Sequence, residues 1–231
     1  MPSDYLFEPA PIPAIPVQGE TALFPIRRIF CVGRNYVAHA AEMGGEVDRE
    51  APWYFNKSAQ AYCPSGSSIP MPQETENCHY EMEFVVALGA EADRVSEAGA
   101  MGAVFGYGCG IDLTRRDLQA QAKETRRPWD LGKDFENAAI LAPLRRAADF
   151  GPVEDQAIWL DHNDTRAQAA TLADMVWAVP EIIAHLSRFY RLMPGDVIMT
   201  GTPAGVGPVA PGSVLDGGVD GLEPVRLSIA G

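Results

Sequence analysis

Positive charge is what this chain is shortest of: 18 Lys and Arg stand against 31 Asp and Glu in 231 residues, a formal net charge of −13. That balance disfavours a general affinity for nucleic acid or for an anionic membrane. It leaves an anionic substrate open, because a metal or a few local cations can reverse the field inside one pocket. Cysteine is also scarce, and Cys31, Cys63, Cys78 and Cys109 show no CxxC spacing. A zinc knuckle or a redox pair is therefore disfavoured, and the four read as buried free thiols in a reducing compartment. No apolar run reaches membrane-spanning length. The first basic residue is Arg27, so a charged leader followed by an apolar stretch is missing and a cytoplasmic protein is expected. Regular alternation of strands with helices is lacking too, which argues against a doubly wound parallel sheet. No internal repeat is present.

What is there is the composition of a globular domain, 47% hydrophobic and 21% charged. Residues 1–22, with Pro9, Pro11, Pro13 and Pro16, read as an extended Pro-rich arm. Residues 23–231 read as one α+β domain, rich in strand, with a few covering helices. LFPIRRIFCVG is strand-like up to Gly33. RNYVAHAAEMGG suits a short helix with Asn35 as its cap and Gly44–Gly45 as its stop. TRRDLQAQAKET is predicted to be a helix because Thr114 and Asp117 fit a capping box. AIWLDHNDTRAQ predicts a hairpin turning at Asn163–Asp164, and PEIIAHLSRFYRL a helix with Pro180 in its first turn.

The stretch HYEMEFVVALG (79–89) poses the chemical question. Period-two alternation sets Tyr80, Met82, Phe84 and Val86 on one side of a strand, and His79, Glu81 and Glu83 on the other. Two like charges on one face repel, and Glu is a poor strand former. An outer strand with a solvated face would explain the pattern. So would a pair of metal ligands, given a third oxygen donor and basic surroundings. Asp112 is a candidate third donor, delivered by the Gly-rich run FGYGCGID, although an acid at a helix start is its plainer reading. Arg116 and Gln119 follow at four and seven residues, so all three can share one helical face. His39 and Glu42, three apart on the short helix, suit either a general base or a surface pair. Lys133 is a lone cation among hydrophobic residues and turns. Thr202, in a GTPAGVG run without the ending of a phosphate loop, could offer its hydroxyl to a carboxylate. Three acidic donors with no His or Cys set favour Mg²⁺ or Mn²⁺ over Zn²⁺, with His79 as a residue that could orient Glu81 or Glu83.

In order along the chain stand GRNYxxHxxE (33–42), HxExE (79–83), DxTRRDxQ (112–119), LGKxF (131–135) and GTPAGVGP (201–208). Together they resemble the fumarylacetoacetate hydrolase family, and most of all its small bacterial acylpyruvate and fumarylpyruvate hydrolases. The resemblance runs from Leu23 to the end. It implies a mixed β-sandwich or β-roll, a homodimer, and one Mg²⁺ or Mn²⁺ held by Glu81, Glu83 and Asp112. It also implies a water-activating pair in His39 and Glu42, on a helix that closes over the site. Arg116, Gln119, Lys133 and Thr202 would hold a small anionic 2-oxo acid, with Lys133 also stabilising the pyruvate enolate as it leaves. One departure is that relatives commonly carry Lys-Pro where Lys57 here precedes Ser58, which bears on a pocket-edge loop. The implied reaction is hydrolysis of the C–C bond of an acylpyruvate such as fumarylpyruvate. Decarboxylation of an oxaloacetate-type diacid or isomerisation of a dienoate would use the same residues. A metal-binding scaffold without turnover is the alternative of another class.

Overall fold

The computed structural model describes residues 5–231. Its backbone is a mixed, eight-stranded sheet. The strands run in the order Trp53–Lys57, Arg28–Gly33, Asp196–Met199, Met82–Leu88, Val104–Asp112, Ala139–Leu141 and Tyr62–Pro64, and Arg145–Arg146 also pairs with Val104–Asp112. Asp196–Met199 lies parallel to Arg28–Gly33, and Ala139–Leu141 parallel to Tyr62–Pro64. The remaining pairs are antiparallel. A second sheet of five strands runs Thr165–Thr171, Ala157–His162, Val214–Val219, Val225–Ile229 and Ser67–Ile69. It packs on the first, Val214–Val219 against Val104–Asp112 and Ala157–His162 against Met82–Leu88. The result is the strand-rich α+β architecture that the residue pattern predicts. Among the described residues no helix is long and apolar enough to cross a membrane.

Met82–Leu88 is the strand that the alternation of HYEMEFVVALG addresses, and it is no outer strand. It sits between two antiparallel neighbours in the middle of the sheet, and all seven of its residues are buried. Its apolar face carries Phe84, whose ring stacks on Tyr107 at 5.2 Å, with Phe150 5.1 Å beyond Tyr107. Burial of such rings contributes the largest favourable term available to a core, at roughly 25 cal/mol per Å² of apolar surface. The polar face is turned inward as well, so its carboxylates cannot reach bulk water.

Local rules hold where no stronger partner competes. Asn163 and Asp164 turn their hairpin with φ of 49° and 62°, as a two-residue connection requires. Pro180 opens the helix Val179–Leu186, whose start is braced by Glu181 accepting from the Ala178 N–H. Two predicted caps fail. The helix Arg116–Glu124 starts after the two-residue strand Thr114–Arg115, and Thr114 caps nothing. The helix Val37–Glu42 likewise has no side-chain cap. Asn35 instead donates to the carbonyls of Trp177 and Thr200 and accepts from the Trp177 N–H, tying three segments together. In the Pro-rich arm, Ala14–Pro16 pairs with Leu23–Pro25 and Ile15 is fully buried.

The glycines before Asp112 admit neighbouring chain rather than a ligand. A Cβ on Gly106 would come within 2.3 Å of the Arg145 carbonyl oxygen, and that contact is backbone. Gly106→Ala should therefore lower stability by about 1–3 kcal/mol through overpacking. Urea denaturation measures it, and a wild-type midpoint would contradict the close approach.

Candidate metal centre and active site

The acidic cluster arises from one break in one strand. Cys78–Tyr80 belongs to a small three-stranded sheet with Thr114–Arg115 and Gly207–Pro208, and Met82–Leu88 belongs to the main sheet. Glu81 is the residue between them. The Asp112 N–H donates to its carbonyl at 2.8 Å, and Gln168 Oε1 accepts from the next N–H, that of Met82, at 2.9 Å. Asp112 ends the neighbouring strand opposite Glu81, while Glu83 pairs with Gly110. Residues opposite one another, and two apart along a strand, share a face. One oxygen from each of Glu81, Glu83 and Asp112 thus lies within 4.8 Å of the others, and all three residues are buried.

Three cations surround these carboxylates. Lys133 Nζ donates to Glu81 Oε2 and Asp112 Oδ2, each at 2.8 Å, and to Thr114 Oγ1 at 2.6 Å. Arg116 bonds Glu81 Oε1 and, at 2.8 Å, Gln119 Oε1. Lys57 Nζ lies 2.8 Å from Asp112 Oδ1 and also donates to the carbonyls of Leu113 and Lys133. Burial alone would raise the Glu81 pKa, but Lys133 and Arg116 hold its carboxyl well below the usual range. Glu83 goes the other way. Burial and the charges of Asp112 and Glu81 push it well above the usual value, and its one hydrogen bond comes from the Gly201 N–H. A carboxylate so placed lacks a cation. Three convergent hard oxygen donors with a deficit of positive charge at Glu83 fit a divalent cation of the Mg²⁺ or Mn²⁺ type.

Across the cleft, His39 Nδ1 stands 3.4 Å from Glu42 Oε2 on the helix Val37–Glu42. Burial lowers the His39 pKa against the opposing pull of Glu81 and Glu42, which favours the neutral ring, the form that can accept a proton. Glu42 is itself anchored by the Gly205 N–H at 3.1 Å. Gly205 has φ of 97°, and a Cβ there would meet the Ala167 carbonyl oxygen at 2.0 Å, so the GTPAGVG run needs glycine at this turn. Thr202 is buried in the cleft and accepts from Gln168 Nε2 at 2.9 Å. Gln119 also lines the cleft. Trp53, Phe55 and Trp129 form an aromatic wall beside it.

Nine of the ten candidate residues line this cleft or bond to residues that do: Glu81, Glu83, Asp112, His39, Glu42, Lys133, Arg116, Gln119 and Thr202. His79 does not orient a carboxylate. Its Nε2 is engaged at 2.8 Å by Asn77 Oδ1, and it makes no hydrogen bond to Glu81 or Glu83. Asp112 shares no helical face with Arg116 and Gln119, because it ends a strand. Lys57 is no pocket-edge residue. It is buried at the centre of the cluster, whereas Ser58 faces Asp134. The signal for Lys57 was a lysine closing the apolar run WYFNK, where a cation survives burial only beside an anion. Gln168, which braces both Met82 and Thr202, carried no comparable mark.

Known proteins share this arrangement's sequence and fold. The model of the family described as fumarylacetoacetate (FAA) hydrolase C-terminal matches residues 28–230. The chain belongs to the fumarylacetoacetate hydrolase family. A fumarylpyruvate hydrolase of Ralstonia sp. is 43% identical over 192 residues, 81% of this chain and 98% of that protein. An oxaloacetate tautomerase of Escherichia coli is 37% identical over 205 residues, 88% of this chain and 93% of that protein. The crystal structure of a fumarylpyruvate hydrolase from Pseudomonas aeruginosa in complex with Mn²⁺ and pyruvate matches with a TM-score of 0.95 at 40% identity, covering 98% of this chain and 99% of that one.

In this family member the buried lysine can be tested apart from turnover. Removing one partner of a buried ion pair leaves an uncompensated charge, so Lys57→Met should cost about 3 kcal/mol in metal-free buffer. A bound cation would replace part of the lost charge. The variant should therefore regain more stability on adding Mn²⁺ than the wild type gains, read by urea denaturation with and without the metal. An equal gain in both would mean that Lys57 does not balance the same carboxylates.

Proposed function

We propose that this protein is a divalent-metal-dependent hydrolase that cleaves the C–C bond of an acylpyruvate, with fumarylpyruvate as the best-supported substrate. The observation that carries the reading is a buried histidine, paired with a glutamate, facing a buried acidic cluster across one cleft. Water activation next to a cation site is what hydrolysis needs and decarboxylation does not. The relatives that are fumarylpyruvate hydrolases support the substrate class.

Bound by Glu81, Glu83 and Asp112, Mg²⁺ or Mn²⁺ would supply Lewis-acid polarisation to the oxygens of a 2-oxo acid. The chain's own groups do the rest. Arg116, Gln119 and Thr202 are placed to hold the 2-oxo acid end. Glu42 faces His39 Nδ1 and orients the ring, leaving Nε2 to take a proton from water. The resulting hydroxide oxygen bonds to the distal carbonyl carbon. That carbon's bond to the methylene then breaks, its electron pair passing to the pyruvate side as an enolate, which Lys133 stabilises by its charge. The proton held by His39 passes to the methylene carbon and completes pyruvate, and the acyl group leaves as a carboxylic acid that ionises in water. The reading carries with it a homodimer in the cytoplasm, for which light scattering and cell fractionation are the measurements.

A second reading is favoured by relatives that are oxaloacetate tautomerases. In it, His39 would move a proton between carbon and oxygen of the substrate with no water added. Fumarylpyruvate, acetylpyruvate and oxaloacetate assayed in parallel with Mn²⁺ separate the two. His39→Ala should lower fumarylpyruvate turnover by about 10²–10⁴-fold while calorimetric Mn²⁺ binding persists. If oxaloacetate alone is consumed or tautomerised, the hydrolase reading is wrong.

The pH profile is a further check with a definite sign. Because burial depresses the His39 pKa, the ring is deprotonated and active above its pKa and loses activity as pH falls through it. The acid limb of kcat/KM should therefore lie below the ordinary imidazole value of about 6.5. His39→Ala should abolish that limb.

A further inference from the structure

The inner cluster is balanced in charge, with Glu81, Glu83 and Asp112 against Lys57, Lys133 and Arg116. The outer cleft is not. Arg34 and Lys123 both line it, and neither side chain makes a hydrogen bond or salt bridge among the described residues. Arg34 is held with φ of 53°, a left-handed conformation that costs a non-glycine residue energy and clusters at functional sites. Its guanidinium lies against Gly45, whose missing side chain leaves it room. The Lys123 ammonium sits 5.0 Å over the Trp129 ring. Partial desolvation, then repulsion by Arg116 and Arg34, lowers its pKa. In a chain of net charge −13, two unpaired cations at one pocket mouth ask for a ligand.

The wall between the two charged regions gives that ligand a shape. Phe55 lies under Lys133 at 4.7 Å, and Trp129 under Lys123. Trp53, Phe55 and Trp129 pack on one another, with ring centroids 4.8 to 6.2 Å apart. An aromatic surface therefore reaches from the inner cation to the outer one. A chain with an apolar middle and an anion at each end matches such a surface.

We propose that Arg34 and Lys123 form a subsite for a second carboxylate at the far end of the acyl group, so that the protein selects dicarboxylic 2-oxo acids over monocarboxylic ones. The proposal rests on the acylpyruvate reading for the direction in which substrate lies, the 2-oxo acid end inward. It assigns specificity to two residues that touch neither the metal ligands nor the base.

Binding tests it independently of turnover. The Mn²⁺-loaded protein is titrated calorimetrically with 2-oxopimelate and with 2-oxoheptanoate, which have equal chain length and differ in ending with a carboxylate or a methyl group. The wild type should bind 2-oxopimelate more tightly by about tenfold or more, the strength of one charge-assisted contact. Arg34→Met and Lys123→Met should each collapse most of that ratio, and Arg34→Lys and Lys123→Arg should restore much of it. Circular dichroism checks folding, and if Arg34→Met is misfolded, exposed Lys123 decides. A wild type that binds both acids equally would overturn the proposal. Variants that weaken both acids by one common factor would overturn it too. Discrimination without hydrolysis of any acylpyruvate would leave the subsite standing and remove the hydrolase reading. Hydrolysis of fumarylpyruvate without discrimination would do the reverse.

Discussion

The cleft depends on an exchange of buried charge. Three carboxylates, those of Glu81, Glu83 and Asp112, are withdrawn from water, and each would cost several kcal/mol if left alone. Lys57, Lys133 and Arg116 offset that cost at hydrogen-bonding distance, Lys133 through contacts to two of the carboxylates. The offset is uneven. Glu81 is overcompensated and stays ionised, whereas Glu83 receives one backbone N–H and no direct ammonium or guanidinium contact. The unevenness leaves the cluster stable enough to fold and still receptive to a cation.

The sheet makes this possible because it brings charges from distant positions to one face. Glu81 lies where the chain passes from the three-stranded sheet to the main one, and Asp112 ends the adjacent strand. Lys57 closes an outer strand, Lys133 ends a short helix, and Arg116 begins another. Gln168 reaches in from the second sheet and bonds Met82 and Thr202, joining both layers at the site. His39 is supported from a separate direction, through the Glu42 contact to the Gly205 turn. Displacement of any one element would leave a carboxylate without its partner, so site geometry and fold stability are coupled.

The places where local reading failed share a cause. Thr114 and Asn35 have the side chains of helix caps, and a cap is worth about 1 kcal/mol. Each found a buried partner worth more: Thr114 accepts from Lys133, and Asn35 ties Trp177 to Thr200. His79 had the spacing to support a carboxylate but turned to its neighbour Asn77. Lys57 was assigned to a pocket-edge loop from its neighbour Ser58, whereas its partner Asp112 lies fifty-five residues on.

Alternation in HYEMEFVVALG, helical spacing in the His39–Glu42 segment and the order of five motifs were enough to name the fold class, the family and seven of the residues that line the cleft. Those signals are carried by residues close in sequence, where strand and helix periods dictate which side chains share a face. Whether that face meets water or other side chains depends on what packs over it, and no local period records this. Tertiary structure alone turned Glu81 and Glu83 inward and placed Asp112 opposite them. It also buried Lys57 against Asp112 and, among the described residues, left the side chains of Arg34 and Lys123 unpaired at the cleft. Charge acts through space, and the distances that decide its strength are set by the topology of the sheet.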